Sequence, residues 1–240
     1  MVGTLLKARA LDAYGQMALD ETVLDSSTDE ALVLRFYDWP GGPREPDRPH
    51  AATFGFMQGY AEAVEGLRAR GLVLSFPVVR RPTAGGIVVH DRDVTFSLIF
   101  PWSRLASPSL VYKDLHRGIH LGLKGVGIAS RLWSPGSAAP ARAADCFTGP
   151  SPMDLVHDDG RKFLGGALRR KRGVGLYQGS MRPEGLFVPI ERLRKAILDG
   201  ISLEWQAALM PKDLDEPTQT AAETLRSERY VKDDWNRRIE

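Results

Sequence analysis

The sequence predicts an α+β fold with a mainly antiparallel or mixed sheet flanked by helices. Short β-rich runs and helical stripes are interspersed without a regular βαβ alternation. Several runs lie too close together for crossover helices between them. The composition, 43% hydrophobic and 26% charged over 240 residues, is that of an ordinary globular chain. With no repeat and no clear boundary, residues 1–240 read as one domain.

In chain order, Leu11, Tyr14, Ala18, Leu19, Val23 and Leu24 are spaced by threes and fours, which predicts an amphipathic helix over Leu11–Asp25. Ala31–Trp39 is rich in β-formers and stops at Pro40-Gly41-Gly42-Pro43, a strand followed by a loop to about His50. A strand at Thr53–Phe56 leads into a helix over Gln58–Arg70 that Gly71 terminates. Phe76–Arg80, Gly86–His90 and Val94–Phe100 are short strands with tight connections. A helix follows over Ser109–Val126, then a small-residue loop from Ser134. Met153–His157 reads as a strand, and Lys162–Arg170 and Val174–Met181 as a hairpin turning at Lys171-Arg172-Gly173. Ile190–Leu198 and Thr220–Glu228 are helical.

Composition excludes several classes. With 32 Lys plus Arg against 30 Asp plus Glu, the net charge of +2 is too small for a protein that coats nucleic acid. No apolar run reaches the ~18 residues of a membrane span, and the N-terminus lacks the apolar core of a secretory signal. A single cysteine, Cys146, forms no internal bridge, so the expected compartment is the reducing cytoplasm. His116 and His120 share a helix face, but Arg117 stands where a zinc-protease helix carries Glu, and no metal is expected.

Three segments are candidates for chemistry. In Val79-Arg80-Arg81-Pro82-Thr83-Ala84-Gly85-Gly86-Ile87-Val88-Val89-His90, two cations precede a glycine-containing bend, a combination that suits an anion or an acyl carbonyl. A hairpin turn with solvated arginines satisfies the same spacing. In Gly160-Arg161-Lys162-Phe163-Leu164-Gly165-Gly166-Ala167-Leu168-Arg169-Arg170, a lysine enters a strand interrupted by glycines. Apolar surroundings would lower its pKa and make it a general base, although a surface lysine beside a turn fits the composition equally. Cys146, after the small-residue loop, is either a nucleophile or a small buried hydrophobe. The run Arg169-Arg170-Lys171-Arg172 is a solvated hairpin end or a steering patch for an acidic partner.

Taken in order, Arg80-Arg81-Pro-Thr-Ala-Gly-Gly-Ile-Val-Val-His90, Cys146-Phe147, Asp154-Leu155-Val156, Gly160-Arg161-Lys162-Phe-Leu-Gly165-Gly166-Ala167-Leu168-Arg169-Arg170 and Tyr177-Gln178-Gly179-Ser180 resemble the lipoate-protein ligase and octanoyltransferase family. Leu19-Asp20-Glu21, Leu34-Arg35-Phe36-Tyr37, Gly55-Phe56-Met57-Gln58 and Asp233-Asp234-Trp235-Asn236 support the match, which spans nearly the whole chain. The resemblance implies an α+β fold related to biotin ligases and class II tRNA synthetases, and attachment of octanoyl or lipoyl groups to a carrier lysine. It implies that Arg80, Arg81, Thr83, Gly85, Gly86 and His90 line the acyl pocket with Gly165, Gly166 and Ala167, and that Lys162 is the central catalytic residue. Two departures stand out: Ala84 replaces the first of three glycines, and Leu168 replaces a glutamine.

The Cys-Phe segment resembles that of the cysteine-dependent octanoyltransferase branch, and the chain leaves no room for the accessory domain of many ligases. The expected reaction is acyl transfer from an acyl carrier protein through a Cys146 thioester, with Lys162 as general acid and base and no cofactor. The acceptor is a lysine of a lipoyl domain or a glycine-cleavage H-type carrier. One alternative is an ATP- and Mg-dependent lipoate ligase with Arg80, Arg81 and Lys162 on the adenylate; another is a non-catalytic acyl-binding homologue.

Overall fold

A computed structural model describes residues 1–7, 10–39, 49–102, 107–134, 149–183 and 185–239. Its secondary elements run β1 (Val2–Leu6), α1 (Ala13–Ser26), β2 (Val33–Tyr37), β3 (Ala51–Phe54), α2 (Tyr60–Ala69), β4 (Val78–Arg80), β5 (Val88–His90), β6 (Val94–Pro101) and α3 (Pro108–Gly125). They continue with β7 (Arg131–Leu132), β8 (Leu155–Val156), β9 (Lys162–Lys171), β10 (Val174–Met181), α4 (Ile190–Trp205), β11 (Ala208–Lys212), α5 (Glu216–Leu225) and α6 (Asp233–Asn236). A π-helical turn, Arg226–Tyr230, follows α5.

The mixed α+β architecture agrees with the sequence reading. One sheet has the order β11-β1-β2-β6-β10-β9-β8-β7, and a smaller one the order β4-β3-β5. β1 runs parallel to β2 and β11, whereas β2, β6, β10, β9, β8 and β7 pair antiparallel in succession. The sequence did not predict β1 or β11. Both lie at one end of the large sheet and β11 is mostly exposed, so neither carries a continuous apolar run. β8 is shorter than expected, because Met153 takes a left-handed φ of 74° that breaks the strand at its start.

Caps set the helix starts. Asp12 accepts a 2.8 Å hydrogen bond from the Gly15 N–H at the head of α1, and Asp215 does the same for Thr218 in α5 at 2.9 Å. Helices α3 and α4 cover one sheet face with Val111, Leu115, Ile119, Leu193, Ile197 and Ile201 in the main core. On the other face, Met17 and Ala18 of α1 pack with Tyr37, Trp39, Ala51, Val79 and Tyr230.

β6 is buried along its whole length, yet its two faces differ. Phe96, Leu98 and Phe100 enter the main core. Thr95 and Ser97, one step out of phase, face the α1 side, where they meet Trp39 and Asp20. The register carries this polar face across three strands: Thr95 pairs with Ser180, which pairs with Gly165, and Ser97 pairs with Gln178, which pairs with Ala167. These rows form the floor of a cleft.

Candidate active site

The cleft is lined by Met17, Tyr37, Trp39 and Val88 as apolar wall, by Thr53, Arg81, His90, Thr95, Gln178 and Ser180, and by Lys162 with Gly165, Gly166, Ala167 and Gly179. It contains about 450 Å³ of non-atom space including its mouth.

Lys162 enters from the start of β9 and its side chain folds back over Gly165. A Cβ at Gly165 would stand 2.5 Å from Lys162 Nζ. The amine lies 2.9 Å from Asp154 Oδ2, and the two side chains are 6% and 3% exposed. The same Asp154 oxygen accepts a 2.7 Å hydrogen bond from the Ser151 N–H. Sequence reasoning set this lysine among apolar neighbours; the structure instead gives it a buried carboxylate. Asp154 was visible only as part of a motif, since nothing local in Asp154-Leu155-Val156 tells which cation it meets.

The Ser151–Asp154 turn is held from behind by α3. Nδ1 of His116 lies 2.6 Å from the Met153 carbonyl, and Nε2 lies 2.6 Å from the Tyr177 hydroxyl. A carbonyl only accepts, so Nδ1 carries the proton and Nε2 accepts from Tyr177. Burial is the main cause that pushes the His116 pKa down from 6.5, and the Lys162 charge adds to it against the opposing pull of Asp154 and Met153. Tyr112 donates a 2.5 Å hydrogen bond to the Gly166 carbonyl. The Gly166 α-carbon is pressed against Tyr177, whose Cε2 would lie 2.5 Å from an added Cβ. His120, on the same helix face, meets Ser130 Oγ at 3.0 Å. Among the described residues no group of three or more His, Cys, Asp or Glu could hold a metal.

The other wall is one connected polar network. Arg81 donates to Thr83 Oγ1 at 3.2 Å, to the Ala84 carbonyl at 3.1 and 2.6 Å and to Thr53 Oγ1 at 3.4 Å. Thr83 donates to Gln178 at 2.6 Å, and Gln178 donates to Asp20 at 2.7 Å. Asp20 also receives Arg35 at 2.5 Å and Ser97 at 2.6 Å. On the far side His90 lies 2.9 Å from Thr53 Oγ1 and 2.8 Å from Asp93 Oδ2, and stacks on Trp39 with ring centroids 4.0 Å apart. Asp93 collects Ser180 at 2.5 Å and Thr95 at 3.1 Å as well. Although burial opposes ionisation, His90, Ser180 and Thr95 together hold the Asp93 carboxyl below its usual value. Asp20, Asp93, Gln178 and Ser180 were given no role from sequence. For Gln178 and Ser180 the signal is the polar alternation of β10, a strand whose residues are all buried; Asp20 on α1 and Asp93 ahead of β6 carry no such signal.

The remaining site expectations fare differently. Arg80 does not line the cleft. Its guanidinium donates to the carbonyls of Gly55 at 3.4 Å, Phe56 at 2.8 Å, Gln58 at 2.7 Å, Trp235 at 3.0 Å and Asn236 at 2.8 Å, clasping α6 to the β3 end of the small sheet. Adjacent residues in an extended chain point to opposite sides, so Arg80 and Arg81 diverge. Thr83 stands behind Arg81 and Gln178, and Gly85 and Gly86 form the bend, so none of the three is in the lining. Gly85 takes a φ of 90°, and its carbonyl packs so closely on Gly55 that an added Gly55 Cβ would stand 2.9 Å from the carbonyl carbon. The left-handed position falls at Gly85 and not at Ala84, so Ala84 fits without strain. Leu168 packs against the main core in the place where the resemblance expects a glutamine. The basic run at the hairpin end is split: Arg169 pairs with Glu21 at 3.2 Å and Lys171 with Asp25 at 2.5 Å. Cys146 and most of the loop from Ser134 lie outside the described residues. Among the described residues no helix is long and apolar enough to cross a membrane.

The sequence profile of the lipoyl protein ligase A/B catalytic domain matches residues 12–185. The octanoyltransferase LipM of Kyrpidia tusciae is 31% identical over 271 residues, covering 92% of this chain and 93% of that protein. The Staphylococcus aureus LipM is 32% identical over 183 residues, covering 71% of this chain and 62% of its own length. A crystal structure of lipoate-protein ligase A bound with ATP superimposes with a TM-score of 0.79 at 18% identity over the full length of both chains. A bi-partite lipoate protein ligase from Thermoplasma acidophilum gives 0.74 at 18% identity, covering 100% of this chain and 98% of that one. At that identity the two structures establish a shared fold. The profile spans well over half of the residues, and the chain belongs to the lipoyl protein ligase A/B catalytic domain family.

Proposed function

We propose that the protein transfers an octanoyl group from a carrier thioester to a lysine of a lipoyl-domain carrier, through a thioester on Cys146. The observation that carries this reading is the buried Lys162–Asp154 pair at the cleft, whose carboxylate is also bonded by Ser151. Ser151 follows Cys146 by five residues, a stretch of at most about 17 Å when fully extended, so the sequence separation allows the thiol to reach the amine. The similarity to LipM octanoyltransferases, and the Cys-Phe segment ahead of Gly-Arg-Lys, support the same branch.

In the first half-reaction Cys146 reacts as a thiolate, its proton resting on Lys162 within the pair with Asp154, and the sulfur forms a bond to the thioester carbonyl carbon. The bond to the donor sulfur breaks, and that sulfur leaves with the proton returned by Lys162. In the second, the acceptor amine attacks the acyl-cysteine, Lys162 takes a proton from it and returns one to Cys146, and the product is an amide. Asp154 keeps the amine over Gly165 throughout. β8 pairs β9 no further than Leu164, so the edge of β9 at Gly166 carries no strand among the described residues, and its N–H suits the oxyanion. The apolar wall of Met17, Tyr37, Trp39 and Val88 receives the acyl chain, each buried methylene contributing ~0.8 kcal/mol. A thiol nucleophile fits a reducing compartment.

Intact-mass measurement after incubation with octanoyl-carrier, without ATP, tests the reading. The native chain gains one octanoyl group, Cys146→Ala gains none and Lys162→Ala gains it far more slowly. An unchanged adduct on Cys146→Ala, or modification that appears only with ATP, overturns it.

A further inference from the structure

Arg169, Arg229 and Arg238 reach one spot from β9, from the π turn and from beyond α6. Arg169 and Arg229 pair with a single carboxylate, Glu21, whose side chain is 2% exposed. Arg169 Nη1 lies 3.2 Å from Glu21 Oε1 and donates to the Pro82 carbonyl at 3.2 Å. Arg229 Nη1 donates to Glu21 Oε2 at 3.0 Å, where the Tyr230 hydroxyl also donates at 2.7 Å. Arg238 Nη2 donates to the Phe56 carbonyl at 2.8 Å. Its guanidinium carbon sits 3.7 Å from the Phe56 ring centroid and 4.6 Å from that of Trp235. Arg169 stands 5.1 Å from the Phe56 centroid and Arg229 5.3 Å from that of Trp235. Three cations thus stand against two aromatic faces, and only two of them pair with the one carboxylate. Among the described residues no acceptor engages Arg169 Nη2, Arg229 Nη2 or Arg238 Nη1. Burial first, and then the charges of Arg169 and Arg229, lower the Arg238 pKa.

The cluster adjoins the cleft. Arg169 lies on the same side of β9 as Gly165 and Ala167, with about 13 Å of strand separating it from Gly165, over which Lys162 folds. The bend that sends Arg81 into the cleft turns its Pro82 carbonyl toward Arg169. A ligand whose reacting carbon is at Lys162 and whose linker runs along β9 would bring its far end to the three guanidiniums. Forked guanidinium donors match the oxygens of a phosphate ester, and the surplus of positive charge over Glu21 favours an anion there.

We propose that Arg169, Arg229 and Arg238 bind the phosphodiester of the phosphopantetheine arm that carries the donor thioester. The assignment rests on the transferase reading above, which supplies a carrier-bound donor.

Isothermal titration of the full chain with 4′-phosphopantetheine, pantetheine and AMP tests it without turnover. The native chain binds 4′-phosphopantetheine at least tenfold more tightly than pantetheine. That preference collapses in Arg229→Gln/Arg238→Gln and is kept in Arg172→Gln, which removes an exposed charge from the hairpin turn. Equal affinity for the two probes in the native chain, or an undiminished preference in the double variant, overturns the proposal. So does arginine-dependent binding of AMP without binding of 4′-phosphopantetheine, which would make the ligand a nucleotide. Folding of the variants is followed by their thermal transitions, and should the double variant fail to fold, the single Arg238→Gln serves in its place. Phosphate preference without acyl-adduct formation would sink the transferase reading and keep the site, whereas adduct formation without phosphate preference would do the reverse.

Discussion

Lys162 Nζ stands 2.9 Å from Asp154 Oδ2, with both side chains almost wholly withdrawn from water. Such a pair is stabilising only while both members are present, because removing one leaves the other buried and uncompensated. Asp154→Ala is therefore expected to lower stability by about 3–5 kcal/mol. Asp154→Ala/Lys162→Met recovers a large part of that loss and remains inactive. Urea unfolding of the native chain, the single and the double variant measures it; a double variant no more stable than Asp154→Ala would show that the two residues are not coupled.

Gly165 is the surface on which the Lys162 side chain lies. A methyl group there must move the amine rather than the backbone, since the contact is with the flexible end of the side chain. Gly165→Ala should fold, and its rate of acyl transfer should fall about 10²-fold, the penalty of roughly an ångström of misplacement at a reacting group. An alanine variant with native turnover would mean that the amine works from another position.

The neutral state of His116 ties stability to acidity. Its folded-state pKa is depressed below the 6.5 of the unfolded chain, so the unfolded chain binds more protons as the pH drops. The contribution is complete above about pH 6.5 and is lost as pH falls through the folded-state value. Denaturant midpoints between pH 7 and pH 5 should decline more steeply in the native chain than in His116→Gln. Parallel pH profiles in the two proteins would contradict the assigned protonation.

Arg80 gives its donors to five backbone carbonyls that no carboxylate neutralises, and burial together with the nearby Arg238 lowers its pKa to about 10. The planar fork is the feature in use. Arg80→Lys keeps the charge but not the geometry. At ~1–3 kcal/mol for each buried group left unpaired, it is expected to destabilise the fold by at least about 2 kcal/mol. Amide exchange in residues 233–239 should accelerate before the rest of the chain. Protection there equal to the native protein would assign the clasp elsewhere.

Much of this molecule could be read along the chain. The hairpin of β9 and β10 follows from two β-rich runs around a glycine turn, and α2 and α3 follow from their apolar stripes. By contrast α1, expected to be amphipathic with its acidic residues in water, is buried on nearly every side with Asp20 and Glu21 inside. The ordered motifs identified the family, and with it Lys162. Strand alternation also required Arg80 and Arg81 to part. What the chain did not determine is which of them faces the cleft, that Asp154 is the carboxylate Lys162 meets, or that Arg169 turns to Glu21 and away from its basic neighbours. Local patterns follow from steric and solvation preferences over a few residues. A contact such as Lys162 with Asp154, or Arg229 with Glu21, exists only after strands register and helices dock, and the energy that selects it comes from burying both partners at once.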